Sequence, residues 1–223
     1  MAASFYVTGT DTGIGKTVSS SALLHALRAR GLRAVGMKPV ASGCARDDGG
    51  RWVNEDALAL QAASDPVPDY ADLNPFALPA PLAPELAAQR FGTEVTLAPL
   101  RAAFARLRAQ AEAVVVEGVG GWAAPLSPTL MQADLVRALG LPVMLVVGLR
   151  LGCLNHALLS ARAIAGDGLR LAGWIGNTLD PPMDALEENL AMLGQRLPAP
   201  CWGVLPWLPG ADPLRLAGHL SPP

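Results

Sequence analysis

YVTGTDTGIGKTVSSSALLHAL, residues 6–27, is the stretch on which the fold turns. It continues the apolar run SFYVT (4–8), passes through a glycine-rich turn ending in Gly15, Lys16 and Thr17, and leaves on Leu23, Leu24 and Leu27 at helical spacing. Strand, glycine turn and helix in that order point successive backbone N–H groups into one concavity, and the helix start adds roughly half a positive charge. The stretch therefore predicts a phosphate site made by Gly13, Ile14, Gly15, Lys16, Thr17 and Val18, with Lys16 reaching the outer phosphates and the Thr17 hydroxyl offered to Mg²⁺. One feature departs from the usual GxxxxGK[ST] spacing: its first glycine would fall at Thr10, and Gly9 sits one place too early.

Outward from this loop the chain alternates. Strands are predicted at 33–38, 113–118, 142–148, 171–177 and 201–205, and helices at 16–30, 54–64, 85–90, 97–111, 131–139, 153–165 and 183–196. The strands are continuous apolar runs, such as AVVVEG and PVMLVVG, which implies cover on both faces. The expected architecture is α/β: one domain, residues 1–223, with a doubly wound, mainly parallel sheet and helices on both faces. Between Asp65 and Pro84, repeated prolines predict a long loop without regular helix or sheet. In sheets of this kind ligands sit beyond the carboxyl ends of the strands.

Composition narrows the partners. The formal net charge is −2 over 223 residues, leaving no basic excess for nucleic acid or anionic lipid. The start MAASFYVTG has no signal-peptide pattern, and LPVMLVVGL is too short to span a bilayer, so a soluble, cytoplasmic protein is expected. Cys44, Cys153 and Cys201 have no CxxC spacing and are expected as reduced thiols. His25, His156 and His219 have no second ligand nearby in sequence and receive no chemistry. Of 17 basic residues only Lys16 and Lys38 are lysines, so a compact ammonium is singled out at both places.

The order VTGTDTGIGKT resembles a group that includes dethiobiotin synthetases, corrinoid-amidating synthetases and the ATPases that partition plasmids or place the division site. Partitioning ATPases carry a further lysine where this chain has Asp11, which weighs against that branch. GMKPVASG (36–43), NEDALAL (54–60), VVVEGVGGWAAPLS (114–127), LPVMLVVGLRLGCLNHALLSA (141–161), LAGWIGN (171–177) and GVLPWLPG (203–210) are each similar to segments of the dethiobiotin synthetase family, in order and end to end.

That resemblance implies an ATP- and Mg²⁺-dependent cyclo-ligase. Its substrates would be 7,8-diaminononanoate (diaminopelargonate), CO2 and ATP, joined through a carbamate and a carbamic-phosphoric anhydride. Lys16, Lys38, Thr12 and Ser42 would work at the phosphates and the reacting amines, and Thr17, Asp56 and Glu117 would hold the metal. Glu117 ends four apolar residues and needs a compensating cation, whereas Asp56 could also serve merely as a helix-dipole acid beside Asn54. Asn177 would meet the adenine edge opposite a wall of Pro206, Trp207 and Leu208. Ser42, Gly118 and Gly121 would line the substrate. Gly152, Cys153, Leu154 and Asn155 would present helix-start N–H groups to the substrate carboxylate across a homodimer.

The chain departs from the family where Ala83 and Glu85 replace a Ser and a His; the glycine at Gly13 is common enough in the family to leave the phosphate role intact. The competing reading is a switch ATPase that binds DNA or membrane; it would need a basic surface or an amphipathic anchor.

Overall fold

A computed structural model describes residues 4–179, 183–210 and 212–223. In chain order its first elements are β1 (Phe5–Gly9), α1 (Lys16–Ala29), β2 (Ala34–Met37), β3 (Val40–Ser42), β4 (Ala45–Arg46) and β5 (Trp52–Val53). There follow α2 (Glu55–Ala63), α3 (Tyr70–Leu73), β6 (Phe76–Leu78), α4 (Pro84–Phe91), α5 (Leu97–Gln110) and β7 (Ala113–Gly121). Next come β8 (Pro125–Ser127), β9 (Leu130–Met131), α6 (Gln132–Leu139), β10 (Val143–Leu149) and α7 (Cys153–Gly166). The chain closes with β11 (Leu171–Thr178), α8 (Leu186–Arg196), β12 (Cys201–Leu205) and α9 (Pro213–Leu216).

Six strands form the central sheet in the order β12-β11-β10-β1-β7-β2, and every pairing in it is parallel. Both faces are covered, which explains the uninterrupted apolar runs. On β1, Phe5 and Val7 pack with Leu23, Leu24 and Leu27 of α1 and Leu60 of α2. Tyr6, pointing the other way, joins Leu100 and Leu107 of α5 and Val136 of α6. Successive residues thus enter opposite cores, and neither face tolerates a polar alternation.

The carboxyl ends of β1, β2 and β7 lie side by side, so the loops after them converge. At that edge the register of β7 against β1 slips: Val7 faces Glu117, but Gly9 faces Gly121, so β7 spends extra residues in a bulge.

The proline-rich stretch corrects the expectation of a structureless loop. It holds α3 and the strand β6, which pairs in parallel with β3 from Val40↔Phe76 to Ser42↔Leu78. Its prolines stand outside these elements: Pro68 precedes Asp69, which caps α3 by accepting from the Ala71 N–H at 2.8 Å, and Pro75 precedes β6. A proline excludes helix and sheet only where its missing N–H and fixed φ would fall inside them. Smaller differences are at element ends, where β7 continues to Gly121 and α8 begins at Leu186. Among the described residues no helix is long and apolar enough to cross a membrane.

Candidate active site

The glycine turn delivers its helix start bare. Gly15 precedes α1 at φ 85° and ψ 32°, and α1 has neither a side-chain cap nor an acid in its first turn. Its first N–H groups are left for an anion. By contrast, the Asn54 side chain caps α2, accepting from the N–H groups of Asp56 at 3.1 Å and Ala57 at 3.3 Å. That capping was legible in the sequence, and it turns the Asp56 carboxylate toward the loop.

Four elements then bring side chains to one point. Lys38, directly after β2 and 3% exposed, donates to Asp56 Oδ2 at 2.8 Å and to Glu117 Oε1 at 2.6 Å, with a longer contact to the Gly118 carbonyl at 3.4 Å. The Thr17 hydroxyl donates to the same Glu117 Oε1 at 2.9 Å. Lys16, also buried, folds back so that Nζ donates to the Asp11 carbonyl at 2.9 Å. These groups line a cavity of about 420 Å³ with Thr12, Gly13, Gly15, Val18, Ser42 and Asn54. Both lysines therefore face the same space.

Charge and burial compete here. Burial alone would lower the Lys38 pKa, but the carboxylates of Glu117 and Asp56 outweigh it and raise its pKa. Burial would likewise raise the Asp56 pKa, yet the Lys38 ammonium, with Thr17 and Lys16 assisting, holds that carboxyl below its ordinary value. Among the described residues Lys16 has no carboxylate in direct contact. Burial lowers its pKa, Glu117 opposes the fall and Lys38 adds to it.

A divalent cation fits this chemistry. Glu117 is fully buried and its Oε2 has no hydrogen-bond partner among the described residues, so one oxygen of a buried carboxylate is left over. Thr17, Asp56 and Glu117 are an all-oxygen donor set of the kind that suits Mg²⁺ with phosphate oxygens and water completing the shell.

The remaining expected residues divide. Asn177, Pro206, Trp207 and Leu208 line a second recess of about 270 Å³, which shares Gly13, Gly15 and Val18 with the first. Asn177 spends one N–H on the loop itself, its Nδ2 donating to the Ile14 carbonyl at 2.9 Å. Ile14 is buried, its side chain against Gly9 and Gly148, so only its backbone belongs to the loop. Gly118 and Gly121 lie on the bulged end of β7: Gly118 is buried with its carbonyl toward Lys38, Gly121 pairs with Gly9, and neither lines the cavity. Gly120, the glycine between them that also lets backbone approach a ligand, does line it, as does Val119, which no sequence signal marks.

Gly152, Cys153, Leu154 and Asn155 stand apart, at the uncapped start of α7 beyond β10. Gly152 and Asn155 are exposed, Cys153 is buried, Leu154 is half-buried, and the four line neither recess of this chain. Arg150, just before them, was also missed: its Nη2 holds Asp11 Oδ2 at 2.5 Å across 139 residues of sequence, a separation that hides such a pair. Glu85 lines a separate recess with Ser127 and Pro128, away from this site.

Known proteins are similar to this chain along most of its length. Residues 3–215 match the family described as an AAA domain. The chain is 70% identical to the ATP-dependent dethiobiotin synthetase BioD of Xanthomonas campestris, over 98% of this chain and 97% of that protein. It is 68% identical to the protein of the same name from Xylella fastidiosa, over 98% of this chain and 96% of the relative. Among solved structures, the MinC:MinD cell division protein complex of Aquifex aeolicus aligns with TM-score 0.58 at 12% identity, covering 99% of this chain and 87% of that one. The signal recognition particle receptor FtsY of Elizabethkingia anophelis aligns with TM-score 0.51 at 14% identity, over 98% of this chain and 63% of the receptor. These two likenesses speak for the fold alone: a mainly parallel sheet flanked by helices. Identity at this level along nearly the whole length, with Lys16 of the loop and Lys38 after β2 converging on one cavity, places the chain in the family of ATP-dependent dethiobiotin synthetases, enzymes of the ligase class.

Proposed function

We propose that this enzyme serves biotin biosynthesis by converting 7,8-diaminononanoate, CO2 and ATP to dethiobiotin, ADP and phosphate. One substrate amine attacks CO2 and loses a proton, giving a carbamate. A carbamate oxygen attacks the γ-phosphorus and ADP departs. The second amine then attacks the carbamoyl carbon, phosphate leaves with the C–O bonding pair, and the ureido ring closes with loss of a proton. Such a sequence asks chiefly for placement and for neutralisation of moving negative charge.

The observation that carries this reading is the ammonium of Lys38, held between Asp56 and Glu117 in the cavity that begins at the bare start of α1. A compact cation there can follow charge from carbamate to transferring phosphoryl group. Lys16 and the loop N–H groups of Gly13, Gly15 and Val18 take the phosphates. Thr12 and Ser42, both lining the same cavity, hold the reacting amines and carbamate. Mg²⁺ bound by Thr17, Asp56 and Glu117 would supply further neutralisation of the triphosphate. The recess formed by Asn177, Pro206, Trp207 and Leu208 takes the adenine.

The carboxylate end of the substrate is assigned to Gly152, Cys153, Leu154 and Asn155 of a second copy of the chain in a homodimer. Support comes from the uncapped start of α7 and from Leu151 beside it, a large apolar residue 94% exposed.

The deciding experiment supplies diaminononanoate, bicarbonate and MgATP and follows ureido-ring formation by mass. Dethiobiotin and ADP should appear together, with negligible ATP turnover when the diamine is omitted. ATP hydrolysis stimulated instead by DNA or liposomes, with no ring product, would overturn the reading.

A further inference from the structure

Gln132, the first residue of α6, is fully buried beneath the bulged end of β7. Its carboxamide is saturated. Oε1 accepts from the Tyr6 hydroxyl at 2.7 Å and from the Val119 N–H at 2.9 Å. Nε2 donates to the carbonyls of Gly121 at 2.6 Å and Trp122 at 3.3 Å. The reason it is needed lies in the register slip. Where β7 leaves β1 between Glu117 and Gly121, backbone groups of the bulge lose their sheet partners, and unpaired backbone at such depth is costly. One side chain replaces those missing bonds.

The orientation of the amide is dictated. Val119 presents an N–H and can face only the oxygen; Gly121 and Trp122 present carbonyls and can face only the nitrogen. Tyr6 completes the set as a donor, since burial and the nearby Glu117 charge keep its hydroxyl protonated. Gly118 closes the contact, because a Cβ there would sit 2.2 Å from Gln132 Oε1 and 2.8 Å from the Tyr6 hydroxyl.

The residues so held are the ones next to the chemistry. Glu117 and the Gly118 carbonyl, immediately before the stapled segment, both contact Lys38, while Val119 and Gly120 wall the cavity. We infer that Gln132, with Tyr6 fixing its amide, is a positioning residue that sets the bulge of β7 so that Glu117 and Gly118 meet Lys38 in working geometry. This inference rests on the proposed ring-closing reaction. It concerns turnover rather than nucleotide capture, because the hydrogen bonds of the Gln132 side chain go to Tyr6, Val119, Gly121 and Trp122 and none goes to the glycine loop or the recess of Asn177.

The test compares wild type, Tyr6→Phe, Gln132→Met and the double variant in the ring-formation assay, with thermal melting as a check on folding. Gln132→Met preserves bulk but not hydrogen bonding, and should lower kcat by about tenfold to a hundredfold while KM for ATP stays within about twofold, in line with losses from outer-layer partners elsewhere. Tyr6→Phe should lower kcat by about threefold to tenfold in the wild-type background and have no further effect beside Gln132→Met, since it acts through that amide. If Gln132→Met does not fold, Gln132→Glu, which keeps the acceptors and loses the donors, takes its place with the same expected fall in kcat, and Tyr6→Phe then adds its own loss because the remaining oxygen still accepts from the hydroxyl. Unchanged kcat in the folded variants, or KM for ATP rising in step with the loss, would overturn the positioning role. Absence of ring product from wild type would instead overturn the reaction on which the inference rests.

Discussion

The ammonium of Lys38 is the most constrained charge in the molecule's site. It meets Asp56 and Glu117 at 2.8 and 2.6 Å from a position 3% exposed, and a planar guanidinium cannot occupy that point. Lys38→Arg is therefore expected to bind ATP nearly as wild type yet lose turnover by about a hundredfold or more, checked by calorimetric titration beside single-turnover assays. Lys38→Met should lower stability by about 3–5 kcal/mol in urea unfolding, because it strands a buried carboxylate. The pH dependence follows from Asp56. Its folded pKa is depressed below the ordinary 3.8, so its stabilising contribution is complete above 3.8 and fades as pH falls through the lower folded value. The melting-temperature gap between wild type and Asp56→Asn should accordingly hold steady over about pH 5–8 and narrow only in stronger acid. At this scale Lys16, Lys38 and Thr17 were legible because they stand at strand or helix ends, and Glu117 because an acid after four apolar strand residues needs a compensating cation. Arg150 was not, since its partner Asp11 is brought to it only by the pairing of β1 with β10.

The junction of β1 and α1 depends on Gly15 twice over. Its φ of 85° disfavours any side chain, and a Cβ there would approach Asn177 Nδ2 to 2.2 Å. Gly15→Ala should weaken binding of a non-hydrolysable ATP analogue by about tenfold to a hundredfold, the equivalent of ordinary backbone strain. Adding Asn177→Ala removes the collision but not the strain, so it should restore only part of the loss. A full return to wild-type affinity would show the φ requirement to be irrelevant. The element was readable from sequence because strand, glycines and helix follow one another directly. Elements that depend on a distant partner were not: β6 exists through β3, and the bulge of β7 through the length of β1. Local pattern carries no trace of either register.

Across the whole molecule, the alternation of apolar runs with amphipathic helices was enough to foretell the parallel sheet, since each strand interior is buried on two sides. What lies beyond one chain is less visible in it. The N-terminus of α7 lines neither recess, and Leu151 is the exposed apolar marker beside it. If a second copy completes the site, light scattering should return twice the 23.1 kDa of one chain. Leu151→Asp should then shift the mass toward a single chain and lower ring formation in proportion, while leaving ATP binding intact. Activity retained by a monodisperse single chain would end the two-copy assignment.

The two recesses touch only through Gly13, Gly15 and Val18, with the lysine pair confined to one of them. Under the proposed assignment this division would act as a built-in ruler: a nucleoside monophosphate would fill the smaller compartment and stop short of both ammonium groups, and a tail long enough to cross the glycine threshold would be needed to bring a terminal phosphorus beside them.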